Sequence, residues 1–465
     1  MRAFAAFAAV ALAGCAVGPD YSRPALDLPA GYPSGEASAA AQPAVEDRWW
    51  TLYGDATLDD LVAAALAKNP DAEFAVARIE EANAQLREAN AAFLPEIDAS
   101  LNSSRSRVSA ATAFPNPPPL VRNDVRGQLS TGFEIDLWGR LRRGDEAARA
   151  LALGTRFSRE VVFLTLEGLV AQTYFTVRSL DTQIDLSQRT LAARKESLDV
   201  VGARVRGGLA SDLDSNAASI AVADASLQLK DLVRQRELAE HQLAVLTSRL
   251  DLKLEPAPAA KMPSALPRLP AAGLPSTLLE RRPDIRLAEQ SLVAANAQVG
   301  VAKAAYFPTV SLLAGNGGES TALATIVSAP ARIWSLGLNA ATPLLDWGRT
   351  TARVAEAAAR KDQAVATYRK AAETAFREVA DALTEVRQAS ISQREFEDRA
   401  ATANDTLRIV NARYRSGLST YLEVLDAQRT ANDAELSVAR NRLALLNASV
   451  SLMKALGGGW RPDAS

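Results

Sequence analysis

The sequence predicts an α+β membrane protein with four β-strands and two long helical hairpins, laid down as a tandem internal duplication. Three observations carry this. Motifs recur at a fixed spacing, two pairs of segments alternate apolar and polar residues, and a long proline-free stretch follows each pair.

The duplication comes first. Ala82-Asn83-Ala84-Gln85 returns as Ala295-Asn296-Ala297-Gln298, a spacing of 213 residues. Pro70-Asp71 and Pro95 return at the same spacing as Pro283-Asp284 and Pro308. Trp138-Gly139-Arg140 returns as Trp347-Gly348-Arg349, now 209 residues on, and the segment from Arg204 to Ser211 returns from Arg413 to Thr420 at that same 209. The organisation that follows is a first repeat over 58–255, a proline-rich linker over 256–275, a second repeat over 276–456 and a tail over 457–465.

Each repeat opens with an alanine-rich amphipathic helix, 58–93 or 276–306, which Pro95 or Pro308 stops. A β-hairpin follows. Ile97, Ala99 and Leu101 alternate with Glu96, Asp98, Ser100 and Asn102, and on the return Leu129, Thr131, Phe133, Ile135 and Leu137 alternate with polar neighbours. The proline-rich stretch between them, Phe114-Pro115-Asn116-Pro117-Pro118-Pro119, cannot be a strand. In the second repeat Val310 and Leu312 lead into a glycine-rich loop, and Trp334, Leu336, Leu338 and Ala340 return. Beyond each hairpin no proline occurs over 120–255 or 344–461. Val365, Tyr368, Ala372, Phe376, Val379, Leu383 and Val386 are spaced by threes and fours, the spacing of packed helices. Arg140 to Arg206 as one helix is about 100 Å long at 1.5 Å per residue. Glycine turns at Gly207-Gly208 and Gly417 then reverse the chain.

At the start of the chain Met1-Arg2, an apolar run over 3–13 and Gly14-Cys15 read as a secretory signal peptide over 1–14. Leu12-Ala13-Gly14-Cys15 looks like a bacterial lipobox, which implies cleavage before Cys15, a lipid on its thiol and amine, and a lipidated N-terminal segment over 15–57. No later run of ~18 apolar residues exists, so any crossing of a membrane is by a closed β-barrel. Four strands cannot close one, since ~8 is the practical minimum, and an alanine-rich hairpin of this length has no core of its own; both demand oligomerisation. Trp138 and Trp347 stand where strand gives way to helix, as interfacial aromatics or as ordinary packing.

Composition excludes much else. A formal net charge of −2 offers nothing to nucleic acid. One cysteine and one histidine, His241, exclude an internal disulfide, a Cys–His catalytic pair and the usual zinc or copper sites. No phosphate loop, Gly-x-Ser-x-Gly or metal cluster is present, so no enzyme, cofactor or metal is expected beyond the lipid on Cys15.

Several strings resemble one family. Cys15-Ala-Val-Gly-Pro-Asp-Tyr21, Trp49-Trp50, Asn69-Pro70-Asp71, Leu278-Leu279-Glu280-Arg281-Arg282-Pro283-Asp284-Ile285, Leu425-Asp426-Ala427-Gln428 and Leu456-Gly457-Gly458-Gly459-Trp460 are similar to NodT-type outer-membrane factor lipoproteins of the TolC-like efflux family. The resemblance implies a homotrimer with a 12-stranded outer-membrane barrel and a periplasmic helical barrel. It implies a passive duct for small molecules, lipid-anchored in the outer membrane. A periplasmic adaptor (membrane fusion protein) and an inner-membrane pump of the resistance-nodulation-division type would be its partners. An ATP-driven engine and a periplasmic coiled-coil adaptor or scaffold are the alternatives.

By motif position the resemblance assigns a periplasmic gate to Asp214, Tyr414, Ser419, Glu423 and Asp426, and adaptor contact to the tips Gly207, Gly208, Leu209, Gly417 and Leu418. Ser419 departs from the family's best-studied member, which has an arginine in its gate at that position. The residues also allow a plainer reading: Ser211-x-x-Asp214 and Thr420-x-x-Glu423 are capping boxes, and the glycines are turn formers. Asp426 has Ala217 as its counterpart, so no shared capping role accounts for it.

Overall fold

The structure, a computed structural model, describes residues 16–29, 31–32, 48–109, 111, 120–257, 267, 269 and 278–460. The signal segment 1–14, Cys15, the proline-rich loop 114–119 and most of the linker 256–275 lie outside the described residues. The main helices are α1 (Ala56–Lys68), α2 (Pro70–Ala91), α3 (Arg140–Arg206), α4 (Asp212–Leu246), α5 (Pro283–Ala304), α6 (Arg349–Arg415) and α7 (Tyr421–Ala455). The strands are β1 (Glu96–Arg107), β2 (Val121–Ile135), β3 (Thr309–Ser320) and β4 (Arg332–Ala341). α3 and α6 are each 67 residues long, and α4 and α7 are each 35. No helix among the described residues is long and apolar enough to cross a membrane.

Three sequence expectations need correction. The opening helix is not continuous over 58–93 but breaks between Lys68 and Pro70. Pro70 supplies no N–H and forces Asn69 to an extended backbone (φ −70°, ψ 132°). Asn69 then caps α2 by accepting from the Asp71 N–H at 2.8 Å. The second repeat does the same: a single helical turn, Leu278–Arg281, precedes Pro283. The glycine-rich segment is not a loop but part of β3, where Gly315, Gly317 and Gly318 pair with Ser130, Gln128 and Gly127. A Cβ at Gly317 would lie 2.2 Å from the Gly127 carbonyl oxygen, so the two strands approach too closely there for any side chain. Leu137 lies outside β2, in a tight turn where its N–H donates to the Ile135 carbonyl.

The chain divides into two compact units, each built from both repeats. The first comprises Met1–Ala25, Arg78–Arg156 and Leu287–Tyr368 and holds the antiparallel sheet, in the order β1-β2-β3-β4. Register pairs Leu101 with Gly127, Leu129 with Asn316, and Leu312 with Leu338, which puts Ile97, Leu101, Leu129, Phe133, Leu312, Leu336 and Leu338 on one face. Most of these side chains are exposed, so the apolar face has no core packed on it. The other face carries Glu96, Asp98, Asp124, Glu134 and Glu319.

The N-terminal segment is strapped to the same unit. The Val17 N–H donates to the Trp138 carbonyl at 2.9 Å, and Asn296 donates to the Pro19 carbonyl at 2.8 Å. Arg143 pairs with Asp20 at 2.7 Å. Arg23 makes a two-point contact with buried Glu289, at 2.7 and 3.0 Å, and the Tyr21 hydroxyl donates to the same carboxylate. Burial and that neighbouring carboxylate hold the Tyr21 phenol well above its ordinary pKa. Gly18, at φ +119°, passes so close to Gly300 that a Cβ would sit 2.5 Å from the Gly300 Cα. The Gly-Pro-Asp-Tyr string therefore has a physical reason: each residue meets a fixed partner.

The second unit comprises Leu26–Ala77, Phe157–Arg286 and Arg369–Ser465. Trp49, Leu58, Leu61, Phe175, Leu243 and Leu452 are fully buried in it. Several of its buried charges are paired. Asp181 pairs with Arg178 at 3.2 Å and Arg236 at 2.7 Å. Buried Arg282, from the Arg-Arg-Pro-Asp string, pairs with Asp284 at 2.6 Å and Glu378 at 2.7 Å and donates to the Ala455 carbonyl. Glu167 is a buried carboxylate with no ion pair to a described residue: it accepts from the Trp49 indole N–H at 2.9 Å, and burial pushes its pKa up to about 8.

Candidate functional site

The turns that reverse the helices lie in the second unit, and both are built alike. α3 ends with Gly208 at φ +71°, its N–H on the Val205 carbonyl, while the Leu209 N–H closes on Arg204 at 2.8 Å. α6 ends with Gly417 at φ +73°, its N–H on Tyr414, while the Leu418 N–H closes on Arg413 at 2.8 Å. This is a Schellman closure, and the left-handed position explains both glycines. Gly207 is the last ordinary residue before the first reversal.

The next helices start with reciprocal caps. Asp214 accepts from the Ser211 N–H at 3.1 Å while its own N–H donates to Ser211 Oγ. Glu423 accepts from the Thr420 N–H at 3.5 Å, and its N–H donates to Thr420 Oγ1. At each turn and in the first turn of the helix that follows, side chains project outward in matched pairs. Leu209 is 74% exposed and Leu418 67%; Leu213 is 76% exposed and Leu422 73%. Each pair is separated by 209 residues. Leu213 and Leu422 were assigned no role from sequence, although the repeat spacing alone relates them.

Tyr414 is buried, not exposed. Its ring packs 5.7 Å from Tyr421, within a cluster of Val201, Ala218 and Val424. The Arg204 guanidinium lies 4.6 Å over that ring and donates to the Tyr414 carbonyl at 3.1 Å. Ser197 donates to the Tyr421 hydroxyl at 3.3 Å, and burial raises the Tyr421 pKa. Within the chain Asp214 and Tyr414 share no hydrogen bond. Ser419 donates to the Val410 carbonyl, and Asp426 pairs with Arg429 at 3.0 Å in solvent. Glu423 and Asp426 both line an open groove of about 670 Å³ between α6 and α7, with Asp398, Arg399 and Thr406. Sequence reasoning assigned no role at the site to Arg204 or Tyr421, the two residues that fix Tyr414.

The other assigned residues separate. Trp138 is partly buried, stacked 4.7 Å from Phe307, and its indole N–H donates to the Pro308 carbonyl at 2.8 Å. Trp347 is exposed, at φ +57°. His241 is exposed on α4. Cys15 lies outside the described residues, but its neighbour Ala16 packs against Gly139, beside Trp138.

Known proteins share this architecture. The family model described as outer membrane efflux protein matches residues 61–249 and 274–458, once per repeat. The solvent efflux pump outer membrane protein SrpC of Pseudomonas putida is 34% identical, the match covering 98% of this chain and 97% of that one. The outer membrane protein OprJ of Pseudomonas aeruginosa is 32% identical, covering 97% of this chain and 94% of that one. The open-state structure of the Neisseria gonorrhoeae MtrE outer membrane channel superposes with a TM-score of 0.84 at 28% identity, covering 97% of this chain and all of that one. The TolC-like fold expected from sequence is the fold observed. The chain belongs to the outer membrane efflux protein family and is an efflux channel of the outer membrane.

Proposed function

We propose that three copies of this chain close a 12-stranded barrel and a helical tunnel, forming the passive outer-membrane duct of a tripartite efflux system. The observation that carries this is the sheet. It has four strands, β1 and β4 each pair on one side, and the apolar face is bare. Such a sheet is incomplete in water and in lipid alike until its edges are paired. A soluble adaptor or scaffold would have no use for it. With the apolar face toward lipid, the five carboxylates of the other face line a wet bore.

A periplasmic adaptor and an inner-membrane pump of the resistance-nodulation-division type complete the system, and the pump supplies the energy. Relatives bearing efflux-pump names support this partnership. The matched leucine pairs Leu209/Leu418 and Leu213/Leu422, exposed at the turns, are the surface the adaptor meets, with Gly207, Gly208 and Gly417 shaping it. Asp214, Tyr414, Ser419, Glu423 and Asp426 form the gate region, and rings of Glu423 and Asp426 favour cations. A lipid on Cys15 anchors the strapped N-terminal segment; Ala16 against Gly139 supports an anchor beside the strand-to-helix junction.

Native mass spectrometry of the detergent-extracted protein, with planar-bilayer recording, tests this. A three-copy assembly with a small, cation-preferring conductance is expected. A folded monomer that carries no current would sink the reading.

A further inference from the structure

The apolar face of the sheet ends in charge of one sign. Register puts Arg105 and Arg107 of β1 on the same face as Ile97 and Leu101, and Arg332 of β4 on the same face as Leu336 and Leu338. They are the charged residues of that face among the described strands, and all three are arginine and exposed. Every strand carboxylate, from Glu96 to Glu319, is on the opposite face, where Arg126 and Glu319 pair across β2 and β3. None of the three arginines has an ion pair with a described residue.

Their position is equally selective. Arg107 closes β1 and Arg332 opens β4, at the hairpin ends remote from the helices. Trp334 stands next inward on the same face and is exposed. The β3–β4 connection adds apolar surface there. Ile326 lies over Gly127 and Gly318, which leave room for it, while Leu323 and Val327 are exposed. A lipid-facing arginine is tolerated where the acyl region ends, and an aromatic residue marks that depth.

We propose that Arg105, Arg107 and Arg332 form a basic band that binds the phosphate groups of the glycolipid in the outer leaflet. This rests on the barrel reading above, in which the apolar face meets lipid and the hairpin ends face outward. Guanidinium groups match phosphate oxygens in a two-point geometry, and an anionic leaflet supplies them without an acidic partner from the protein. The occupant is a phosphorylated lipid rather than a soluble anion, because leucine and tryptophan side chains continue the same face.

The test uses the assembled full-length protein and lipid A carrying both phosphates, with dephosphorylated lipid A as the comparison. Wild type is expected to retain phosphorylated lipid A preferentially, and to lose that preference in high salt. R105Q/R107Q/R332Q should weaken binding on the order of a hundredfold, about fivefold per arginine. R126Q, on the opposite face, should leave it unchanged. Equal binding of both lipids, or by wild type and triple variant, overturns the proposal. If the triple variant fails to assemble, the single variants carry the same fivefold expectation. Quenching of Trp334 by brominated acyl chains, read against W334F, reports the barrel reading separately. Quenching without phosphate preference defeats the basic band alone, and no quenching defeats the barrel reading itself.

Discussion

The Arg204 guanidinium lies 4.6 Å over the Tyr414 ring and bonds the Tyr414 carbonyl at 3.1 Å. Arg204 belongs to the first repeat and Tyr414 to the second, so one side chain ties the two reversals together. Its duplicate, Arg413, does something else: it donates to the Leu418 carbonyl in its own turn. The copies have diverged into a clasp and a cap.

Cutting that clasp should loosen the tip. A cation over an aromatic face contributes roughly 0.5–2 kcal/mol, with the hydrogen bond in addition. R204Q is expected to raise single-channel conductance in planar bilayers while the thermal midpoint falls by a few degrees. Y414F retains the ring and should behave as wild type. D214A removes a cap and should cost about 1 kcal/mol of stability. Unchanged conductance in R204Q, with a lower midpoint, would assign the clasp to stability alone.

Glu167 gives a pH dependence. Its folded pKa is raised by burial to about 8, while the unfolded carboxyl titrates near 4.3. The native state therefore holds a proton that the unfolded state releases. The stabilising contribution is complete below about pH 4 and is lost as pH rises towards 8. E167Q keeps an acceptor for the Trp49 indole without the charge. It should flatten the fall in thermal midpoint between pH 5 and 8, and above pH 7 it should be more stable than wild type by on the order of a few kcal/mol. Differential scanning calorimetry across that range checks it; parallel curves would remove Glu167 as the cause.

Two glycines predict opposite signs. A Cβ at Gly300 would fall 2.8 Å from both Arg143 Cγ and the Val17 carbonyl oxygen. G300A should thus push the N-terminal strap away and cost about 1–3 kcal/mol. Gly144 is helical, with nothing within 4 Å of its added Cβ. G144A should stabilise by roughly 0.5–1 kcal/mol. Denaturation midpoints and limited proteolysis near the N-terminus distinguish the two, and a destabilised G144A would contradict the open space.

Much of this architecture was legible because duplication supplies an internal alignment. The first long helix runs from Arg140 to Arg206 as read, its copy starts at the matching Arg349, and their reversals fall at the glycines. The opening helix was misread because its amphipathic pattern continues across Pro70, while the backbone obeys the proline instead. The β3 glycines resemble loop chemistry, and only a neighbouring strand reveals why nothing larger fits. Partners far apart in sequence carry no periodic signal at all: Arg23 and Glu289 are 266 residues apart. Arg204 was hidden for a subtler reason, since its twin Arg413 suggests a shared local task that it does not perform.

The matched lengths of the helical arms have an evolutionary consequence. α3 equals α6, and α4 equals α7, to the residue. Removing one heptad from a single arm would pull Leu209 out of level with Leu418 and strand Arg204 away from Tyr414. A lineage that needs a shorter or longer conduit must therefore edit both copies together, and in steps that preserve the helical phase. Gene duplication made the two arms equal once; the geometry of the reversals has kept them as a single inherited ruler.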